Sequence, residues 1–283
     1  MTYAFLKGHG TENDFVLLPD LDGSVHGGLS DQEMTDRVRS LCDRRAGVGA
    51  DGILRVIRTA AYEGADRPVS DAEWFMDYRN ADGTLAEMCG NGTRVFAEYL
   101  RSAGLAGDEV TFATRAGDKT LRADGDIWTA DLGSPKLLGA TQVSVAHHFW
   151  PASNVDMGNP HAAAEVETID PSGPVGDLYD SPVFDEDVYP HGVNVEFFAR
   201  VDDRHVAMRV FERGSGETRS CGTGACAVMV AAAEIDGLAT ARDEDVTYRV
   251  DVPGGTLQVT WTTDDRILLA GPAVLVAEGT TSL

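Results

Sequence analysis

The chain has 283 residues, of which 43% are apolar, so it is long enough for two ordinary domains with buried cores. Its 46 acidic and 23 basic residues give a net charge of −23. This balance argues against binding to nucleic acid or to an anionic membrane, because no excess of basic side chains neutralises phosphates. The N-terminal segment lacks the basic start and apolar run of a secretory signal, and no window reaches the length of a membrane span. We therefore expect a soluble, cytoplasmic protein.

The first half of the chain predicts short strands and two helices. Strand patterns occur at residues 3–7, 15–18, 53–57 and 73–79. Ser30 and Glu33 form the capping-box pattern that opens a helix. The apolar face of that helix consists of Met34, Val38, Leu41 and Cys42. A second apolar stripe follows Cys89 and ends at Gly104, where a glycine stops the helix.

The second half repeats this order of elements. A strand near 127–132 opens it, another follows Asn159, and strand patterns return at 206–210, 246–252, 256–261 and 267–270. Residues 171–187 are rich in proline, glycine and aspartate, which indicates an irregular connection. Residues 225–235 are apolar on nearly every face, so the helix that they form should be buried.

A cysteine followed by a glycine turn occurs once in each half, as Cys89-Gly90-Asn91-Gly92 and as Cys221-Gly222-Thr223-Gly224. Nine residues before each cysteine stands a polar residue at a strand end, Asn80 in the first half and Glu212 in the second. Each half thus runs strand, polar turn, cysteine, glycine turn, helix. The repetition predicts two structurally similar domains.

Each cysteine stands where the first turn of a helix exposes unpaired N–H groups and a partial positive charge. We expect this position to lower the pKa of the thiol, and the glycines to let backbone N–H groups bind a carboxylate. Two such thiols acting on one substrate predict racemisation or epimerisation. One thiolate removes a proton from a carbon beside a carboxylate, and the other thiol delivers a proton to the opposite face. The carbanion needs preorganised hydrogen-bond donors rather than a cofactor.

Sequence blocks in the same order resemble diaminopimelate epimerase almost from end to end. They are Lys7–Phe15, Arg45–Gly52, Asn80–Gly83, Cys89–Arg94, Gly158–His161, Gly192–Asn194 and Glu212–Gly224. The resemblance implies a mixed α/β (α+β) fold of two pseudo-symmetric domains, each a curved mixed sheet around a central helix, with the active site in the cleft between them. The implied domains are residues 1–124 with 272–283, and residues 125–271.

The resemblance also implies interconversion of LL- and meso-diaminopimelate, in lysine and peptidoglycan-precursor biosynthesis, without pyridoxal phosphate or metal. Cys89 and Cys221 would be the acid–base pair, with Cys221 as acceptor and Cys89 as donor from LL to meso. His161 and Glu212 would tune the proton affinity of the thiols. The substrate-binding residues would be Gly90, Asn91, Gly222 and Thr223 at the reacting carboxylate, and Asn13, Asn80, Asn159, Asn194, Glu212 and Arg213 at the distal end. A homodimer is compatible with this assignment.

Two alternatives stay open. A racemase of the proline type shares the fold, but that group usually carries histidine where this chain has Asn91. A redox-switch protein would join Cys89 and Cys221 in a reversible disulfide. Two positions depart from the family pattern: Glu12 stands where glycine is common, and Gly52 where some members carry a side chain that touches substrate. Cys42 and Cys226 are expected in the core.

Overall fold

The computed structural model describes residues 2–239 and 243–283 and divides the chain into two compact units. Unit 1 comprises Met1–Ala130 and Pro272–Leu283, and unit 2 comprises Asp131–Gly271. The helices are α1 (Asp31–Cys42), α2 (Gly90–Ser102) and α3 (Gly222–Ile235), with a short 3-10 helix at Thr59–Ala61. The strands are β1 (Tyr3–Gly10), β2 (Asn13–Pro19), β3 (Gly52–Arg58), β4 (Trp74–Asn80), β5 (Glu109–Thr114), β6 (Gly117–Asp124), β7 (Ile127–Asp131), β8 (Lys136–Val145), β9 (His148–Asp156), β10 (Pro160–Glu165), β11 (Val183–Phe184), β12 (Asn194–Asp202), β13 (His205–Glu212), β14 (Gly216–Thr218), β15 (Val246–Val252), β16 (Gly255–Trp261), β17 (Ile267–Pro272) and β18 (Val274–Thr281).

Unit 1 is a mixed sheet in which β18, β1, β2, β3, β4, β5, β6 and β7 follow one another. The β2–β3 and β4–β5 pairs are parallel, and the other pairs are antiparallel. Helix α2 packs against β18 and β1 at one end of this order and against β6 near the other end. The sheet therefore wraps around α2, as the family resemblance implied.

Unit 2 has the same succession of pairings. Strands β8, β9, β10, β12, β13, β15, β16 and β17 follow one another, and the β10–β12 and β13–β15 pairs are parallel. The irregular stretch predicted at 171–187 contains only the two-residue strand β11, which pairs with β8. Helix α3 is the centre of the apolar core, and Ala225–Ala233 are all buried. The prediction of a buried helix here is confirmed.

The boundary between the units lies at Ala130/Asp131 rather than at residue 124. Strand β7, which the sequence assigned to the opening of the second half, pairs with β6 of unit 1 through Leu121↔Ala130 and Asp124↔Ile127. A two-residue turn at Gly125 joins them, so β7 completes the preceding hairpin. At the other end, β18 pairs with β1 from Tyr3↔Thr281 to His9↔Val274, which returns the chain to unit 1.

Local sequence signals account for the helix termini. Ser30 caps α1 in a complete capping box with Glu33, as predicted, and the predicted apolar face of α1 is buried. Cys89 and Cys221 are the N-cap residues of α2 and α3. In the part of the chain that the structure describes, no helix combines the length and apolar character that crossing a membrane requires.

Candidate active site

The half-site of unit 1 is built on the N-terminus of α2. Cys89, the N-cap residue, is partly buried, and its Sγ donates to Asn13 Oδ1 at 3.5 Å. Asn91 Nδ2 donates to the same oxygen at 3.2 Å. Asn13 is the first residue of β2, so the β1–β2 hairpin brings its amide to the glycine turn.

Charged neighbours fix the orientation of both amides. Asn13 Nδ2 donates to Asp51 Oδ2 at 2.8 Å, and Arg44 Nη2 lies 2.6 Å from Asp51 Oδ1. Asn91 Oδ1 accepts from Arg94 Nη2 at 2.6 Å, and Arg94 is fully buried. Because a carboxylate only accepts and a guanidinium only donates, the amide oxygen of Asn13 must face Cys89.

The β1–β2 turn accounts for the departure at Glu12. Thr11 and Glu12 have φ values of 48° and 63°, which lie in the left-handed region. Two-residue hairpin turns of this kind need φ > 0 at both central positions, and glycine meets this at least cost. Glu12 adopts the left-handed conformation that glycine adopts at less cost. The turn therefore still places Asn13 next to the glycine turn at α2.

Asn80 ends β4 at some distance along the chain from the glycine turn. Its Oδ1 accepts from the Tyr78 hydroxyl at 2.8 Å, and its Nδ2 donates to Thr84 Oγ1 at 3.0 Å. Both hydrogen bonds lie within its own strand end and turn. A ligand that binds Asn80 therefore has to share or exchange these contacts.

The half-site of unit 2 is built on the N-terminus of α3. Cys221 is 6% exposed, and its Sγ accepts from the Gly224 N–H at 3.4 Å. The Thr223 hydroxyl lies 3.5 Å from the same sulfur.

The expected lowering of the thiol pKa is not found at Cys221. Burial raises the pKa of this thiol well above its ordinary value, and the carboxylates of Glu212 and Glu196 raise it further. The Thr223 hydroxyl and the Gly224 N–H lower it, but by less. The prediction from the helix N-terminus was wrong for this copy because the sulfur is buried beside two acidic side chains.

A chain of buried and half-buried polar groups leads from β12 to Cys221. Glu196 Oε1 lies 2.7 Å from His161 Nδ1, and both side chains are fully buried. His161 Nε2 lies 3.1 Å from Asn159 Oδ1. Asn159 Nδ2 donates to Thr223 Oγ1 at 3.5 Å, and Thr223 contacts Cys221. The parallel pairing of β10 with β12, His161↔Asn194 and Ala163↔Glu196, brings these side chains together.

Asn194 and Arg213 lie together at the start of β12 and just after β13. The Arg213 N–H donates to Asn194 Oδ1 at 2.9 Å, and Arg213 Nη1 donates to the His191 carbonyl at 3.1 Å. Glu212, the last residue of β13, accepts from the Thr218 hydroxyl. The structure thus brings Asn194, Glu212 and Arg213 into one group of unit 2.

Two residues of these half-sites were not identified from the sequence. Asp51 lies within a block quoted for the resemblance but carried no assigned role, and it orients Asn13. Glu196 lies between Val195 and Phe197 of β12, where it is fully buried. A lone carboxylate among apolar strand residues was the available signal. Among residues 2–239 and 243–283, no group of three or more His, Cys, Asp and Glu side chains has the arrangement of a metal site.

The comparison with family models decides the assignment. The model described as diaminopimelate epimerase matches residues 5–138 and 153–276. The chain belongs to the diaminopimelate epimerase family. It is 54% identical to a diaminopimelate epimerase of Streptomyces coelicolor over 98% of this chain and 94% of that protein. It is 48% identical to one of Rhodococcus jostii (98% and 96% covered) and 45% identical to one of Corynebacterium glutamicum (99% and 98% covered). The chain is therefore assigned to a family of isomerases.

Solved structures support the fold of this family member. A phenazine biosynthesis protein of the PhzF family from Bacillus anthracis has a TM-score of 0.71 at 18% identity, with all of both chains covered. A hydroxyproline epimerase from Agrobacterium vitis has a TM-score of 0.63 at 13% identity, covering 100% of this chain and 93% of that one. At these identities the likeness shows a shared fold and nothing further.

Proposed function

We propose that this protein interconverts LL- and meso-diaminopimelate without a cofactor, using Cys89 and Cys221 as the proton donor and acceptor. The observation that carries the proposal is the repeated half-site: in each unit a cysteine caps the central helix, next to glycines and an asparagine amide. Membership of the diaminopimelate epimerase family supports the substrate.

Hydrogen-bond polarity supports the roles of the two thiols. Cys89 faces the Asn13 oxygen, which can only accept, so the protonated thiol is the form that fits there. Cys221 receives the Gly224 N–H, which can only donate, so a thiolate gains a hydrogen bond there. This polarity agrees with Cys221 as the acceptor and Cys89 as the donor from LL to meso.

The raised pKa of Cys221 suits the role of base, because the thiolate, once it has formed, has a high affinity for the α-proton of the substrate. The hydrogen on the α-carbon of an amino acid is only weakly acidic, so a sulfur of higher proton affinity is a better-matched base. The developing carbanion needs donors that are already oriented. In the proposal, backbone N–H groups at Gly90–Asn91 and Gly222–Thr223 bind the reacting carboxylate at the two helix N-termini.

The distal amino-acid end of the substrate is assigned to Asn13, Asn80, Asn159, Asn194, Glu212 and Arg213. Amides, a carboxylate and a guanidinium can read a carboxylate and an ammonium by directed hydrogen bonds. Asn13 and Asn159 also contact the cysteine turns, so in the proposal these two amides serve the thiols as well as the substrate.

The test is proton exchange in deuterated water. Reduced protein incubated with LL-diaminopimelate should form the meso isomer with deuterium at the inverted α-carbon, as measured by NMR and chiral chromatography. Proline and hydroxyproline serve as alternative substrates. Racemisation of proline with no turnover of diaminopimelate would transfer the assignment to the proline type.

Cysteine variants test the two-base scheme. Cys89→Ala and Cys221→Ala should each abolish epimerisation, because each removes one of the two proton carriers. The matched control is Cys42→Ala: Cys42 lies in the core of unit 1, where burial raises its pKa to about 12, and the variant should retain activity. Full activity in Cys221→Ala would refute the scheme.

Cytoplasmic location, the lack of nucleic-acid or membrane partners and the homodimer remain part of the proposal. The net charge of −23 supports the lack of nucleic-acid and anionic-membrane partners. Light scattering behind size exclusion measures the assembly, and a monomer at all concentrations would exclude the dimer.

A further inference from the structure

Glu196 is a buried acid that the proposed reaction does not use. It lies on β12, is fully buried, and contacts His161 through Oε1 at 2.7 Å. Its other oxygen, Oε2, has no hydrogen-bond partner among the described residues. A carboxylate held in this way is costly unless its partner compensates the charge, so a role beyond packing is indicated.

The Glu196 side chain lies so close to the glycine turn of unit 2 that residue 224 has no room for a Cβ. A Cβ on Gly224 would lie 2.7 Å from Glu196 Oε1 and 3.2 Å from the Cys221 Cβ. The equivalent Cβ on Gly92 of unit 1 would meet no atom closer than 3.4 Å. Glu196 Oε1 thus lies against the first turn of α3, where the positive end of the helix favours an oxygen atom.

The partners of His161 determine its protons. Both neighbours, the Glu196 carboxyl and the Asn159 amide oxygen, offer oxygens to the ring nitrogens. The 2.7 Å contact between Oε1 and Nδ1 requires one proton between these two atoms, and burial, which raises the pKa of Glu196, is consistent with that proton being held there. Whether the shared proton lies on Glu196 Oε1 or on His161 Nδ1, the Nε2 atom of His161 carries a second proton and donates it to Asn159 Oδ1.

The direction of this hydrogen bond determines which atom donates in each of the following hydrogen bonds, up to the thiol. With Asn159 Oδ1 accepting from His161, Asn159 Nδ2 donates to Thr223 Oγ1, and the Thr223 hydroxyl is left to donate to Cys221 Sγ. We infer that Glu196 is a positioning residue for proton transfer at Cys221, acting through His161, Asn159 and Thr223. The inference rests on the proposed role of Cys221 as a proton acceptor.

The titratable groups around the thiol come from three strands packed against α3: Glu212 on β13, Glu196 on β12 and His161 on β10. On β15, the Tyr248 hydroxyl donates a hydrogen bond to Asp236 at the C-terminal end of α3, away from Cys221. A direct charge effect of Glu196 and an effect through the hydrogen-bond chain have opposite signs. The charge alone raises the pKa of Cys221, whereas the oriented chain stabilises the thiolate.

Glu196→Gln separates the two effects. Without the carboxylate, the pair holds one proton fewer: the neutral His161 keeps its proton on Nδ1, which donates to the Gln carbonyl at the helix N-terminus, and Nε2 loses its proton to solvent. Nε2 then accepts from Asn159, the amide turns over, and Thr223 donates to Asn159 instead of the thiolate. The Cys221 pKa should rise by about one unit, the worth of one hydrogen bond to a charged group. A purely electrostatic role predicts a fall.

The readout is the alkylation rate of Cys221 by iodoacetamide at several pH values, followed by peptide mass spectrometry. Because only the thiolate reacts, a rise of one unit lowers the rate about tenfold at a fixed pH below the pKa. Long-range ¹H–¹⁵N spectra should show Nε2 of His161 protonated in the wild type and unprotonated in the variant. Neither readout requires turnover, so failure of the epimerase proposal and failure of this one are distinguishable.

Two further variants complete the experiment. Asp251→Asn is the matched control, because Asp251 Oδ2 pairs with His205 Nε2 at 2.6 Å in the same unit; it should leave Cys221 alkylation unchanged. In Thr223→Val, which cuts the chain, Glu196→Gln should no longer slow alkylation. An equal effect in both backgrounds, a faster reaction or no change in Glu196→Gln would overturn the inference.

Discussion

At the scale of single residues, Cys221 shows two opposing influences at one atom. The helix N-terminus and the Gly224 N–H favour its thiolate, whereas burial, Glu212 and Glu196 favour the thiol. The second set is stronger, so the pKa of this thiol lies well above its ordinary value. A thiol of this kind ionises only at high pH, and in the proposed reaction its thiolate would be a strong base.

Glu212→Gln should move the pH optimum of epimerisation to lower pH. The Glu212 carboxylate raises the pKa of Cys221, so its removal lowers the pH at which the sulfur loses its proton. In the proposed reaction the Cys221 thiolate sets the rising limb of the kcat/KM profile from LL to meso, so this limb should move to lower pH, with a lower maximum because the base is weaker. The measurement is kcat/KM between pH 6 and pH 10.

Glu234→Gln is the control for this shift. Glu234 lies in the last turn of α3, where it accepts from Ser153 Oγ at 2.9 Å, far along the helix from Cys221. Its profile should match the wild type. An optimum of Glu212→Gln that stays in position or moves to higher pH would contradict a direct charge effect.

Candidate site residues could be proposed from the sequence where a motif contains them, but not where their contacts depend on burial in the folded protein. Cys89, Cys221 and the glycine turns repeat in sequence, and His161 stands in a recognisable block. Glu196 has no such context, because its contact with His161 depends on β12 lying parallel to β10, a pairing that the local sequence does not encode. The net pKa of Cys221 was equally inaccessible, since it depends on side chains from separate strands.

At the scale of elements, helices were easier to predict than strand partners. Helix α1 begins at its capping box and α3 follows from an unbroken apolar run, and both signals are local. The strand at 127–131 was identifiable by pattern, and the return of residues 272–283 to the first domain was implied by the family resemblance, but the partners of both strands are fixed by the rest of the sheet. For this reason β7 was assigned to the second half although it completes a hairpin of unit 1.

The second glycines of the two cysteine turns should respond differently to alanine. In Gly224→Ala the new Cβ meets Glu196 Oε1 at 2.7 Å, so the buried carboxylate or α3 has to shift. We expect the free energy of unfolding to fall by about 1–3 kcal/mol, as for overpacked cores. We also expect kcat to fall about a hundredfold, as for catalytic groups displaced by about 1 Å. Urea unfolding and epimerisation kinetics measure the two effects.

Gly92→Ala is the matched control in unit 1. Its Cβ finds ordinary contacts with Cys89, Leu54 and Phe15 at 3.4–3.5 Å, and Gly92 lies within α2. Alanine in a helix should raise the free energy of unfolding by about 0.5–1 kcal/mol. Equal stability changes in the two variants would show that Glu196 does not constrain Gly224.

At the scale of the whole molecule, the two units share one succession of parallel and antiparallel pairs around a central helix. The parallel pairs β2–β3 and β4–β5 of unit 1 correspond to β10–β12 and β13–β15 of unit 2. The connection between the two strands of the first parallel pair differs between the units. Between β2 and β3 of unit 1 it contains helix α1, and between β10 and β12 of unit 2 it contains the irregular stretch with β11. The repeated cysteine turn is therefore part of a repeated fold, which accounts for its matched position before α2 and α3.

The units should differ in how they fold when separated. Unit 2 is continuous in sequence, and its core around α3 is drawn entirely from residues 131–271, so this fragment should unfold cooperatively in urea. Unit 1 needs Pro272–Leu283, because β18 covers the edge of β1 and the Pro272 carbonyl accepts from buried Arg94. A fragment of residues 1–130 joined to 272–283 by a flexible linker should be more stable than residues 1–130 alone. Equal urea midpoints for these two fragments would mean that β18 contributes nothing to unit 1, and loss of cooperative unfolding in 131–271 would mean that unit 2 is not an independent folding unit.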